Sequence, residues 1–289
     1  MERATSLTIS TEQLATQLHD PQLRIFDCTV IMQPKDGGGY AIRSGTDDYR
    51  EAHIPGAAFL DLEGALSAAH PRLLFMLPSA EQFADVMGAA GVDDTARVML
   101  YNRGPSWWAT RVWFMLEHFG FKDALVLDGG FDKWQAESRP VESGRNVYPA
   151  TVFTVREAVS NFADKAETFG KHRAEGVLTL NALAAAQHRG DINPYGRPGR
   201  IPGSRHAPAA SFLNPDGTFV RGQALEELVR ASGANDASEV IAYCGGGISA
   251  TTTAFALRLA GKRAVKIYDG SMSEWAPDPE MPLAVGDDD

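Results

Sequence analysis

Short apolar runs recur along the chain at Leu23–Phe26, Ala96–Tyr101 and Ala124–Leu127, and again at Val177–Leu180, Val240–Tyr243 and Ala264–Tyr268. Between them lie amphipathic stretches of helical period such as Thr11–Leu18 and Ala80–Ala89. Strands apolar on both faces that alternate with helices predict a mainly parallel sheet flanked by helices, an α/β fold. The pattern occurs twice. His53-Ile54-Pro55-Gly56-Ala57, Leu100-Tyr101-Asn102 and Leu127-Asp128-Gly129-Gly130 with Trp134 are answered in order. The answering segments are Arg200-Ile201-Pro202-Gly203-Ser204, Ala242-Tyr243-Cys244 and Tyr268-Asp269-Gly270-Ser271 with Trp275. Asn102 and Asp128 stand 26 residues apart, Cys244 and Asp269 stand 25, and each aspartate precedes its tryptophan by 6, so the chain reads as a tandem duplication.

The expected domains are residues 1–141 and 155–289. Residues 142–154, polar and without either period, are read as a linker between them. The glycine-rich loop Pro34–Tyr40 is expected to be mobile and the acidic tail Gly286–Asp289 frayed. A length of 289 residues at 44% hydrophobic composition is enough for two such cores. The formal net charge of −10, without a basic block, speaks against nucleic acid as a partner. No run approaches the ~20 apolar residues of a membrane span, so no membrane association is expected. Two cysteines and an N-terminus without a secretory apolar stretch point to a reducing, cytoplasmic setting.

Chemistry concentrates at Cys244-Gly245-Gly246-Gly247-Ile248-Ser249, where a buried strand ends at a cysteine, three glycines follow and a helix begins. Glycines allow positive-φ turns that aim successive amides at the sulfur, and a helix N-terminus adds positive potential. Such surroundings can lower a thiol pKa from about 8.5 to roughly 3.5–7.5. A β-branched side chain at Gly246 is expected to spoil the cradle. The bland alternative is a buried structural cysteine beside an ordinary glycine turn.

From Asp27, Tyr49-Arg50-Glu51-Ala52-His53-Ile54-Pro55-Gly56-Ala57, Arg111-Val112-Trp113, Leu127-Asp128-Gly129-Gly130 and Tyr268-Asp269-Gly270-Ser271 with Glu274-Trp275, the chain resembles the two-domain rhodanese-family sulfurtransferases over roughly residues 8–284. The resemblance implies two tandem rhodanese-like domains, with Cys244 catalytic in the second and Asn102 replacing its counterpart in an inactive first. It implies that Cys244 takes a sulfane sulfur from a small donor and holds it as a persulfide. The sulfur then passes to a thiol, cyanide or protein-thiol acceptor. Neither metal nor organic cofactor is expected, since no CxxC pair or HExxH helix is present.

The uncharged Cys-Gly-x-Gly loop favours 3-mercaptopyruvate over thiosulfate, for which relatives carry basic loop residues. The same resemblance shows departures. Gly246 stands where 3-mercaptopyruvate enzymes place a serine, Phe75 where they place a histidine, and Asn181-Ala182-Leu183 lacks the usual arginine. Asp61 matches the family's acidic residue. Arginine forks bind oxyanions, so Arg197 is the first expected anion clamp, with Arg189 and Arg200 behind it, each weighed against a solvated surface arginine. Cys28 and His53 are assigned to structure, and Trp107 and Trp108 either wall the cleft between domains or simply pack. Two other function classes compete. A loop-cysteine phosphatase of the cell-division-cycle type needs Cys-x5-Arg, and Ala250 stands where that arginine would be. A non-catalytic interaction module would have no need of the cysteine with its glycines.

Overall fold

The computed structural model describes residues 6–35, 40–156 and 159–287. In chain order its strands are β1 (Thr8–Ile9), β2 (Leu23–Asp27), β3 (Val30–Pro34), β4 (Tyr40–Ser44), β5 (Ala58–Phe59), β6 (Arg97–Tyr101) and β7 (Ala124–Leu127). There follow β8 (Phe162–Ala163), β9 (Val177–Asn181), β10 (Arg205–His206), β11 (Glu239–Tyr243) and β12 (Val265–Tyr268). One five-stranded sheet runs β1-β7-β6-β2-β5 and a second runs β8-β12-β11-β9-β10. Every neighbouring pair within the two is parallel. The two orders are the same topology used twice.

The duplication extends to single hydrogen bonds. A buried aromatic with a polar tip needs a partner for that tip. The Tyr101 hydroxyl accepts from Ile54 N at 3.3 Å and the Tyr243 hydroxyl from Ile201 N at 3.1 Å. Trp134 Nε1 donates to Pro140 O and Trp275 Nε1 to Pro282 O, both at 2.8 Å. The Ile-Pro-Gly turns and the Asp-Gly-x-x-x-x-Trp segments are therefore internal braces of each domain.

Helices cover the sheets, as the fully apolar strands require. Ala80–Ala89 has the expected bounds, its start capped by Ser79 Oγ accepting from Gln82 N at 3.1 Å. The helix expected over Thr11–Leu18 stops at Ala15 and continues as turns toward Pro21. Helix Trp107–His118 of the first domain packs on helix Ser249–Leu259 of the second. Thr110 Oγ1 meets Thr251 Oγ1 at 2.7 Å, and Trp113 stands edge-on to Phe255 at 5.0 Å between ring centroids. One apolar core runs through both domains across this contact, and a second, smaller one belongs to the first domain.

Two expectations change. The residues flanking the glycine-rich loop are not loop: β3 and β4 form an antiparallel hairpin that reaches Pro34 and Tyr40, while residues 36–39, like 288–289 of the tail, lie outside the described residues. Residues 142–154 contain neither helix nor strand, yet they are strapped onto the first domain. His53 and Glu142 exchange backbone bonds at 2.8 and 2.9 Å, Thr151 N donates to Gly88 O at 2.8 Å, and Phe153 is buried edge-on to Phe83. The strap is anchored by Tyr148, whose hydroxyl accepts from Ile25 N at 3.0 Å and donates to Gly56 O at 2.7 Å. Tyr148→Phe leaves a buried strand amide without that partner and is expected to lower unfolding stability by about 1–3 kcal/mol in urea titrations.

Candidate active site

Cys244 follows β11, the middle strand of the second sheet, and is buried with 2% of its surface exposed. Its Sγ accepts from Ile248 N at 3.2 Å. The expected convergence of several amides on the sulfur is reduced to this one among the described residues, and Ser271 takes two of the others. Ser271 Oγ accepts from both Cys244 N and Gly247 N at 3.1 Å and donates to Tyr268 O at 2.7 Å, tying the loop to the end of β12 from below. Ser271 itself holds φ +49, a left-handed conformation stabilised by those three bonds.

The three glycines do different work. Gly247 has φ +69, and a β-carbon there would meet Asp269 O at 2.5 Å. A β-carbon on Gly245 would collide with the Tyr195 hydroxyl. Gly246 lies outside the left-handed region and faces open space, its nearest neighbour being Ser273 Oγ at 4.0 Å. The geometric requirement expected at Gly246 thus belongs to Gly247.

From the other side the loop is gripped by the first domain. Arg111, on helix Trp107–His118 and fully buried, donates to Gly247 O at 3.3 Å and Phe75 O at 2.6 Å, and ion-pairs with Asp269 at 2.7 Å. The other oxygen of Asp269 accepts from Leu77 N at 2.8 Å. Losing one member of such a pair strands a buried charge, which costs several kcal/mol.

Cys244, Gly245, Gly246, Ile248 and Ser249 open onto a pocket of about 420 Å³ between the domains. Its other walls are largely apolar: Trp107, Trp108 and Phe75 from the first domain, Met32 and Ile42 from the β3–β4 hairpin, and Leu183 from the second domain. The two tryptophans therefore do wall the cleft. Cys28 lies elsewhere in the core, where burial and then the Asp27 carboxylate hold its thiol well above the usual range.

The expected substrate-binding residues are not brought to this pocket. Arg197 donates through Nε to Ala276 O at 2.6 Å and through Nη2 to the carbonyls of Asp278 and Met281, pinning the C-terminal segment. Arg200 is buried and donates to Gly286 O and Asp287 O at 2.6 Å each. Arg189 pairs with Asp191 at 2.7 Å on the surface. Asp61 lies on a separate cleft of the first domain beside Arg50 and Arg145. An arginine fork satisfied by chain carbonyls or a neighbouring carboxylate is not an open anion clamp, and neither the three arginines nor Asp61 lines the Cys244 pocket.

Arg72 is the one cationic side chain lining the pocket among the described residues, and Tyr195 adds a phenol hydroxyl to it. Neither was singled out from sequence. Arg72 belongs to the first domain, where nothing in the linear order ties it to Cys244. Ser271 could have been found, since the first-domain segment reads Asp128-Gly129-Gly130 where the second reads Asp269-Gly270-Ser271, so a hydroxyl accompanies the cysteine.

The Rhodanese-like domain family matches residues 10–137 and 186–278 of the chain. A probable 3-mercaptopyruvate sulfurtransferase of Pseudomonas aeruginosa is 33% identical over 290 residues, covering 96% of this chain and 98% of the relative. A thiosulfate sulfurtransferase of Cricetulus griseus is 32% identical over 298 residues, covering 96% and 95%. Among solved structures, SseA from Escherichia coli, described as a 3-mercaptopyruvate sulfotransferase, superposes with a TM-score of 0.82 at 27% identity, covering 92% of this chain and 99% of that one.

The unequal glycines can be separated by substitution. Gly247→Ala is expected to lose at least about 1–2 kcal/mol from its left-handed backbone alone, with Asp269 O in the way as well. Gly246→Ala is expected to be neutral or to gain up to about 1 kcal/mol through the unfolded state. Urea unfolding of the two variants against wild type measures the difference.

Proposed function

The chain belongs to the rhodanese family and is a sulfurtransferase, and on that footing we propose that Cys244 carries the transferred sulfur as a persulfide. The observation that carries this reading is the Cys244 sulfur at the floor of the interdomain pocket, accepting from Ile248 N, on a loop held by Ser271 and Arg111. The Cys244 thiolate attacks the outer sulfur of the donor, the bond from that sulfur to the rest of the donor breaks, and the leaving group departs with the electron pair. The acceptor thiolate then attacks the terminal sulfur and restores Cys244, a ping-pong cycle. Fixed dipoles that bear on the sulfur in both states need no rearrangement during the reaction.

For the donor we propose 3-mercaptopyruvate, with a thiol, cyanide or protein thiol as acceptor. The name of the Pseudomonas aeruginosa relative supports this, as does a loop without cationic side chains. A carboxylate entering the pocket would meet Arg72 rather than Arg197. We propose further that the two domains divide as 1–141 and 155–289, the first contributing walls and anchoring while Asn102 leaves it without a nucleophile.

Incubation of wild type with 3-mercaptopyruvate and no acceptor is expected to add ~32 Da to the intact protein. Cys244→Ser is expected to abolish the gain and Cys28→Ser to retain it; the reverse pattern would sink the assignment. Arg72→Ala is expected to raise KM for 3-mercaptopyruvate by about 2- to 10-fold, the loss of one exposed, solvent-screened contact of roughly 0.5–1.5 kcal/mol. Arg197→Ala is expected to show its effect in unfolding stability instead, and steady-state kinetics on both variants distinguish the two.

A further inference from the structure

Breaking the carbon–sulfur bond of a 3-mercapto-2-oxo acid sends an electron pair onto carbon, so an enolate must be protonated before a keto acid can leave. Thiosulfate makes no such demand, because its leaving group is sulfite. The pocket around Cys244 is short of acids: among the described residues no histidine, aspartate or glutamate lines it. The positions from which the resemblance would supply a serine and a histidine hold Gly246 and Phe75. What the pocket does hold is the Tyr195 hydroxyl, packed so closely over Gly245 that the glycine has no room for a β-carbon. This places the phenol one residue from the nucleophile.

We infer that Tyr195 is the proton donor to the carbon leaving group, and that the site is thereby fitted to donors whose sulfur departs from carbon. The inference rests on the persulfide reading of Cys244 and deepens it. In the proposed step the Cys244 thiolate attacks the thiol sulfur of HS–CH2–CO–COO⁻ and the S–C bond breaks. The carbon takes the Tyr195 proton to give CH3–CO–COO⁻. The tyrosinate recovers a proton from the new Cys–S–SH, leaving Cys–S–S⁻. Charge and protons balance with no added reagent.

The surroundings keep the proton on the oxygen. Burial first, and then the charges of Cys244 and Tyr40, push the Tyr195 phenol above its ordinary range, against a smaller opposite effect of its hydrogen bond with Gln187. The hydroxyl therefore carries its proton throughout the neutral range. Three other hydroxyls line the pocket, on Tyr40, Ser249 and Ser273. Tyr40 is 38% exposed on the β3–β4 hairpin, whereas the Tyr195 hydroxyl is packed against Gly245. The aliphatic alcohols of the two serines are much weaker acids than a phenol, whose ordinary pKa is about 10.

The test is Tyr195→Phe, which keeps the ring and removes the proton. With 3-mercaptopyruvate, kcat is expected to fall about 10²- to 10⁴-fold, the usual contribution of a general acid, with KM held within a few-fold. Loading from thiosulfate, followed as the ~32 Da gain, is expected to fall much less. Where thiosulfate does not load the wild type, the split between kcat and KM on 3-mercaptopyruvate decides alone. An unaltered kcat, a change confined to KM, or equal losses with both donors overturns the assignment, as does a donor-selective loss in Ser249→Ala instead. A wild type that gains no mass from either donor removes the persulfide reading and this one with it, whereas a wild type that loads while Tyr195→Phe behaves identically removes only this one.

Discussion

The Cys244 loop depends on the buried pair of Arg111 and Asp269. A guanidinium with no exposed surface is tolerable only when it is paired, and here its two Nη groups meet Gly247 O, Phe75 O and Asp269, while Nε has no hydrogen-bond partner among the described residues. Those acceptors come from three separate stretches of chain. The pair therefore fixes the glycine loop, the turn at Phe75–Leu77 and the helix Trp107–His118 relative to one another. The first domain carries no cysteine in the equivalent loop, yet it supplies the cation that grips the loop of the second.

The duplicated architecture lets the two halves differ at the position of Cys244, on which the proposed chemistry rests. In the first domain Asn102 occupies the position of Cys244, and its side chain satisfies its own loop. Oδ1 accepts from Ala109 N at 3.0 Å while Nδ2 donates to Arg103 O and Pro105 O at 2.7 Å. Nothing is left over to react. In the second domain the loop is organised instead by Ser271 from beneath, which frees the cysteine sulfur to face the pocket. The Asn102 loop has a different role, because the helix that follows it begins with Trp107 and Trp108, two walls of that pocket.

The arginines show where reading along the chain misleads. Arg200 stands in the Ile-Pro-Gly motif where the first half has His53, and His53 is a brace whose Nδ1 meets Tyr49 O at 2.9 Å. The repeat thus already marked that position as structural. Arg197 offered no such comparison. Its carbonyl partners lie about eighty residues downstream and belong to a segment whose path only the folded chain defines.

The sequence by itself determined the two-fold α/β repeat and the three central strands of each sheet, and it pointed to Cys244 as the proposed nucleophile. Each follows from local patterns: apolar runs that must be buried on both faces, turn motifs that recur at equal spacing, and a cysteine between a strand end and a helix start. It also carried, unread, the serine that accompanies the cysteine. The tertiary structure alone decided which side chains share the pocket. Arg72 and Tyr195 come from opposite domains and meet near Cys244 because helix Trp107–His118 packs on helix Ser249–Leu259. The same packing directs Arg111 to Asp269 while the folded C-terminal segment draws Arg197 and Arg200 into bracing it. Side chains far apart in the chain become neighbours through that burial, and no spacing along a strand or helix encodes such a meeting.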